Sequence, residues 1–125
     1  MIGSTRRVGV WAYTAPADMR KGYDGLSTLV ERELGRDPLS GEMFLFVSRN
    51  RKRAKVLLWD GTGLCLYAKR LEEGRFADLR RCDASTLRLT MNELQLFLEG
   101  STLVGRVTLS PKEFERKRIV ESLAL

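Results

Sequence analysis

Five carboxylates, Asp18, Asp24, Glu31, Glu33 and Asp60, are of a type that could converge on a divalent metal for phosphoryl-transfer chemistry. Their spacing does not by itself assemble such a centre, and each aspartate has a local role available. Asp18 suits the region before a first helix, Asp24 the first turn of that helix, and Asp60 the first position of a hairpin turn. Histidine is absent. That excludes Ser-His-Asp and Cys-His catalysis and leaves acid–base work to carboxylates, lysine or tyrosine. The two cysteines, Cys65 and Cys82, form no CxxC pair, so a structural zinc site would lack ligands and reduced thiols are expected. These residues read as a chain that is not an enzyme, with no catalytic residue, metal or cofactor.

Positive charge is the stronger signal. The net charge is +6, and ten basic residues lie between Arg49 and Arg81 against four acids, so the whole surplus falls in about a quarter of the chain. The rest is balanced. Such asymmetry points to an anionic partner, nucleic acid before membrane, because no basic amphipathic helix accompanies it. The run Arg49-Asn-Arg-Lys-Arg53 places four long cations in five residues, suited to phosphates and not to base edges. Candidate DNA contacts are Arg20, Lys21, Arg49, Arg51, Lys52, Arg53, Lys55, Tyr67, Lys69, Arg70 and Arg75.

The elements that would position these residues centre on a hairpin, Ala54 to Trp59 and Leu64 to Lys69, joined by Asp60-Gly-Thr-Gly63. A type I turn with a bulge at Gly63 pairs Asp60 with Leu64, so that Lys55 faces Lys69, Leu57 faces Tyr67 and Trp59 faces Cys65. Val56, Leu58, Leu66 and Ala68 then form an apolar side toward the core. The opposite side combines cations with aromatics that could stack on bases. A two-residue turn would shift this register and dissolve that face.

Elsewhere, Val8 to Tyr13 reads as a strand, Gly22 or Tyr23 to Leu34 as a helix capped by Gly35, and Glu42 to Val47 as a buried strand. Thr86 to Leu89 reads as a short strand. Thr90-Met-Asn-Glu93 is a capping-box pattern opening a helix from Met91 to Glu99 that stops at Gly100. Ser110-Pro-Lys-Glu113 opens a further helix through Glu121 containing Arg116-Lys-Arg118. The expectation is an α+β fold: an antiparallel meander of about four strands covered by two to three helices. A core domain over residues 1–104 is followed by a helical extension over 105–125. No apolar run approaches the ~20 residues of a membrane span, and Met1 to Arg7 is too short for a signal peptide, so a cytoplasmic protein without membrane contact is expected.

Three blocks carry a family resemblance: Asp18-Met-Arg-Lys-Gly-Tyr-Asp-Gly-Leu26, Asp37-Pro-Leu-Ser-Gly41, and the stretch from Lys55 through the hairpin to Phe76. Leu89 to Gly100 adds a fourth. In this order they resemble the TnpB-like accessory protein encoded by the second open reading frame of insertion sequences of the IS-sixty-six type. The resemblance covers roughly residues 8 to 104 and fades over Val107 to Leu125. It implies a role in DNA transposition, with DNA and the element's own transposase as partners. The larger transposase would carry the cleavage and strand-transfer chemistry, and a protein adaptor docked on it is the alternative reading. The resemblance supplies no catalytic residue.

Overall fold

The structure, a computed structural model, describes residues 8–100. The elements in chain order are β1 (Val10–Tyr13), α1 (Tyr23–Leu29, continued by a π-turn Val30–Leu34), β2 (Met43–Val47), β3 (Arg53–Trp59), β4 (Leu64–Arg70), a 3-10 turn Leu79–Arg81, β5 (Thr86–Leu89) and α2 (Met91–Glu99). The helix expected from Ser110 lies outside the described residues.

The five strands form one sheet in the order β4-β3-β2-β1-β5. The expected meander is present as β2-β3-β4, antiparallel throughout. Two features differ from expectation. The sheet has five strands and not about four, and β1 runs parallel to β2, with Val10 opposite Met43 and Ala12 opposite Leu45. A parallel pair needs a crossover connection, and α1 supplies it. β5 then adds antiparallel to the other side of β1.

The alternation along each strand divides two cores. Phe44, Phe46 and Leu57 face α1 and pack with its Leu26 and Val30. Val10, Ala12, Leu45, Val47, Val56, Leu87 and Leu89 face the other way, with Leu94 and Phe97 of α2 and with Phe76. The sheet is therefore covered on both faces, which explains why β2 is apolar almost without interruption. Phe76 and Phe97 are fully buried and stack with centroids 5.1 Å apart and ring planes 9° from parallel.

α2 begins as its sequence predicts. Thr90 accepts from the Glu93 backbone N–H at 3.1 Å, and the Glu93 carboxylate accepts from the Thr90 N–H at 2.8 Å. It ends at Gly100 with φ 62°, where a Cβ would come within 2.7 Å of the Leu71 methyl carbons. Only glycine suits both the left-handed backbone and that close approach.

Candidate nucleic-acid interface

The hairpin register decides which side chains share a face, and it differs by one residue from the expected one. Trp59 pairs with Leu64, Val56 with Tyr67 and Lys55 with Ala68. The loop is the two-residue Gly61–Thr62 connection, with the positive φ at Gly61 (106°) and none at Gly63. Lys55, Leu57 and Trp59 therefore share the α1 side with Leu64, Leu66, Ala68 and Arg70. Val56 and Leu58 share the α2 side with Cys65, Tyr67 and Lys69. The expected pairings of Lys55 with Lys69 and of Trp59 with Cys65 do not occur, and the expected face is split, with Lys55 and Trp59 on one side and Tyr67 and Lys69 on the other.

Both lysines are instead tied to backbone carbonyls. Lys55 Nζ donates to Met19 O at 2.8 Å and Lys21 O at 2.9 Å, pinning the loop that leads into α1. Lys69 Nζ donates to Leu98 O at 2.6 Å in the last turn of α2, where cations are favoured by the orphan carbonyls. Tyr67 is 51% exposed on the α2 side, away from the basic loop.

The loop from Ser48 to Arg53 is built by its small polar residues. The Ser48 hydroxyl donates to Asn50 Oδ1 at 2.8 Å and accepts from the Arg53 N–H at 3.0 Å, while Asn50 Oδ1 accepts from the Lys52 N–H. Arg51 takes a left-handed φ of 61°. Its carbonyl accepts from the Phe76 N–H at 2.7 Å and its guanidinium donates to Phe76 O at 3.2 Å. One of the four cations thus turns inward to hold the 71–76 segment. Arg49, Lys52 and Arg53 remain exposed, with no ion pair among the described residues.

Arg49 and Arg53 line an open cleft of about 730 Å³ whose opposite wall is Pro16, Ala17, Asp18 and Met19. The Ala17 N–H donates to Val47 O at 2.9 Å, which fixes that wall to the end of β2. Arg53 also lies directly across from Arg70 on the neighbouring strand. Opposed like charges are unfavourable in isolation, and an anion seated between them would reverse the sign of the interaction.

Other candidate cations are partly neutralised. Arg20 forks onto Asp18, with its closest contact at 2.9 Å, and Arg70 donates to Glu72 at 3.1 Å. Arg75 and Lys21 are exposed. The structure brings Arg49, Arg53 and the Asp18–Lys21 loop to one end of the sheet, and places Tyr67 and Lys69 on its other face.

The carboxylates do not converge. Asp18 lies in the cleft wall, whereas Asp60 lies beyond the far end of β3, a seven-residue strand roughly 20 Å long. Among the described residues no three Cys, Asp or Glu side chains are grouped to hold a metal ion. The Arg20 side chain and N–H hold the Asp18 carboxyl down at about 2. Asp60 also lies at about 2, because its Oδ1 accepts from the Thr62 and Gly63 N–H groups at 2.8 and 2.9 Å and from the Thr62 hydroxyl. Desolvation, then Asp60 beside it, pushes the Cys65 thiol up, which disfavours a reactive thiolate.

The Asp60 turn carries a testable pH dependence. A depressed folded-state value stabilises above the ordinary value of 3.8, and that contribution is lost as pH falls toward about 2. A carboxyl titration followed by NMR is expected to show Asp60 with a midpoint well below its ordinary range. Asp60→Asn, which retains the acceptor oxygen, is expected to flatten that part of the acid unfolding curve. A midpoint near 3.8 would contradict the turn geometry.

One constellation had no signal in the sequence. Trp11 Nε1 donates to Glu42 at 2.7 Å, Arg36 forks onto the same carboxylate at 3.1 and 3.2 Å, and the Arg36 guanidinium lies 4.0 Å from the Trp11 ring centroid. Arg88 lies 5.0 Å from the same ring. Burial pushes the Glu42 carboxyl up, but the hydrogen bonds from Arg36 and Trp11 outweigh it and hold the group below its ordinary range. Spacings of 31 and 6 residues have no local periodicity, so only the β1–β2 pairing reveals the cluster.

No solved structure matches the chain. Two proteins of Sinorhizobium fredii (strain NBRC 101917 / NGR234), y4hO and y4jC, are 42% and 40% identical to it over 100 residues. Each alignment covers 80% of this chain, with 86% of the first relative and 85% of the second, and both relatives are described as uncharacterized. The profile of the IS66 Orf2-like proteins matches residues 8–106, which takes in the whole sheet, both helices and the basic cleft. The chain belongs to the IS66 Orf2-like family, the accessory proteins of insertion sequences of that type.

Proposed function

We propose that the protein is a non-catalytic accessory factor in DNA transposition that binds DNA through the basic end of its sheet and assists the element's transposase. The observation that carries this reading is the Ser48–Arg53 loop. Its own hydrogen bonds hold it, and it presents Arg49, Lys52 and Arg53 to solvent beside an open cleft. With its backbone already held by these hydrogen bonds, the loop has mainly side-chain freedom to lose on meeting a phosphate backbone. Arg75, Arg20, Lys21 and Arg70 flank this end as secondary contacts. Arg51, Lys55 and Lys69 contribute by holding the framework, and Tyr67 stands exposed on the α2 side.

The test is a salt titration of the full chain's affinity for element-end duplex, random duplex and single-stranded DNA. Three to four phosphate contacts give a slope of log K against log salt of about −3 for duplex. The affinities for element-end and random duplex are expected to be similar, since phosphate contacts carry no base information. Absence of binding at low salt would remove the proposal. The alternative, an adaptor docked on the transposase, is favoured by the apolar groove of about 430 Å³ between α2 and the hairpin, lined by Val56, Leu58, Tyr67, Met91 and Leu98. It predicts co-purification with the transposase in high salt together with weak DNA binding by the protein alone.

A further inference from the structure

β4 is an edge strand of the sheet, and among the described residues nothing pairs with its outer side. The ladder pattern shows which of its backbone groups are unpaired. Asp60 N–H bonds to Gly63 O, and Leu71 N–H bonds to Lys52 O. In the β3–β4 register these flank the strand as hydrogen-bonded pairs, so Cys65, Tyr67 and Lys69 also direct their amides to β3. Leu64, Leu66, Ala68 and Arg70 therefore point their N–H and C=O groups outward.

Exposed edges are usually blunted by proline, a bulge or a projecting charge. β4 has no proline and pairs without a bulge over seven residues. Its two charges are drawn aside: Lys69 reaches over to Leu98 O, and Arg70 folds onto Glu72. Tyr67 and Ala68 are exposed at its centre.

The outward groups are symmetric about Tyr67. An antiparallel second copy of β4 centred there matches Leu66 with Ala68 and Leu64 with Arg70, and the converse, so all four outward residues find hydrogen-bonding partners. Tyr67 meets its own symmetry mate, and Cys65 faces Lys69. Self-complementarity of this kind is what a two-fold interface requires. The two half-exposed Tyr67 rings would lie together on the α2 side, beside the apolar groove bounded by Met91 and Leu98. We infer that the protein forms a two-fold dimer by antiparallel pairing of β4 with β4 of a second copy, producing a continuous ten-stranded sheet centred on Tyr67.

Sedimentation analysis of the full chain is expected to show a concentration-dependent dimer. Ala68→Pro removes one outward N–H that the monomer does not use, and edge strands tolerate proline. It is expected to raise the dimer dissociation constant by at least ~10-fold. Register is tested by oxidation in a Cys65→Ser, Cys82→Ser background. Tyr67→Cys is expected to form an intermolecular disulfide, because a facing non-hydrogen-bonded pair brings Cα atoms to about 4.5 Å. Ala68→Cys should not, because its own mate lies on the diagonal at about 7–8 Å. This cross-linking pair decides the matter if Ala68→Pro unfolds. A monomer at all concentrations, a dimer indifferent to Ala68→Pro in a folded protein, or cross-linking at 68 and not 67 would overturn the inference. So would a monomer whose Leu66 and Ala68 amides resist exchange, which would assign the edge to another segment of the same chain.

Discussion

Phe97→Ala is expected to destabilise the protein by about 3–5 kcal/mol, the usual range for emptying a fully buried aromatic site. Phe97 is the inward anchor of α2, a nine-residue helix too short to persist in isolation. Its ring covers Phe76, which has no regular element of its own and is held by two hydrogen bonds to Arg51. The vacated space lies between a helix and a loop, and the cavity term adds to the lost transfer energy. Against a total stability of roughly 5–15 kcal/mol, the loss leaves little margin. Urea unfolding is the measurement: the midpoint should fall sharply with the slope preserved. Phe97→Leu should retain a large part of the stability. A double cycle with Phe76→Leu should show coupling of about 0.5–1.5 kcal/mol from the stacked pair. A shift below about 1 kcal/mol for Phe97→Ala would mean that α2 contributes little to the cooperative core.

The helices were legible in the sequence because most of their ends are written in local chemistry: Thr90 and Glu93 at the start of α2, and Gly35 and Gly100 at the two C-termini. The hairpin register was not. Alternation selects a register only when one face is wet. Here both faces of β3 are apolar near the turn, Val56 and Leu58 on one side and Leu57 and Trp59 on the other, because a helix covers each side. A slip of one residue exchanges one apolar face for another. The turn could not arbitrate either, since Asp60-Gly-Thr-Gly63 offers a glycine to both loop lengths. The parallel β1–β2 pair was missed because four residues of strand carry little pattern, although strand, helix and strand do follow in order. At the basic end, charge density in Arg49–Arg53 marked a segment whose Arg49, Lys52 and Arg53 are exposed in the structure. It could not say that Arg51 turns inward, since that depends on Phe76, 25 residues away.

The same distinction separates two kinds of cation and supports the second large expected effect. Arg49→Ala with Arg53→Ala removes two exposed charges from the cleft while leaving the Ser48–Asn50 hydrogen bonds in place. Duplex affinity at low salt is expected to fall by on the order of 30- to 100-fold, and the salt slope to become shallower by about 2. Thermal stability should be nearly unchanged, because exposed, unpaired cations contribute little to folding. Relief of the Arg53–Arg70 opposition works in the same direction. Lys55→Met should behave in the opposite way. Its ammonium holds the Met19 and Lys21 carbonyls, so its loss strands two acceptors and loosens the approach to α1, at a cost of roughly 1–3 kcal/mol. The salt slope of whatever binding remains should be close to that of the parent, because two of the three Lys55 ammonium donors are spent on these carbonyls. If Lys55→Met lowered the slope while Arg49→Ala with Arg53→Ala did not, the DNA-facing surface would be the Met19–Lys21 side of the cleft and not the Ser48–Arg53 loop. Side by side, the two variants test whether the exposed charge of the loop meets a phosphate backbone while Lys55 serves the fold.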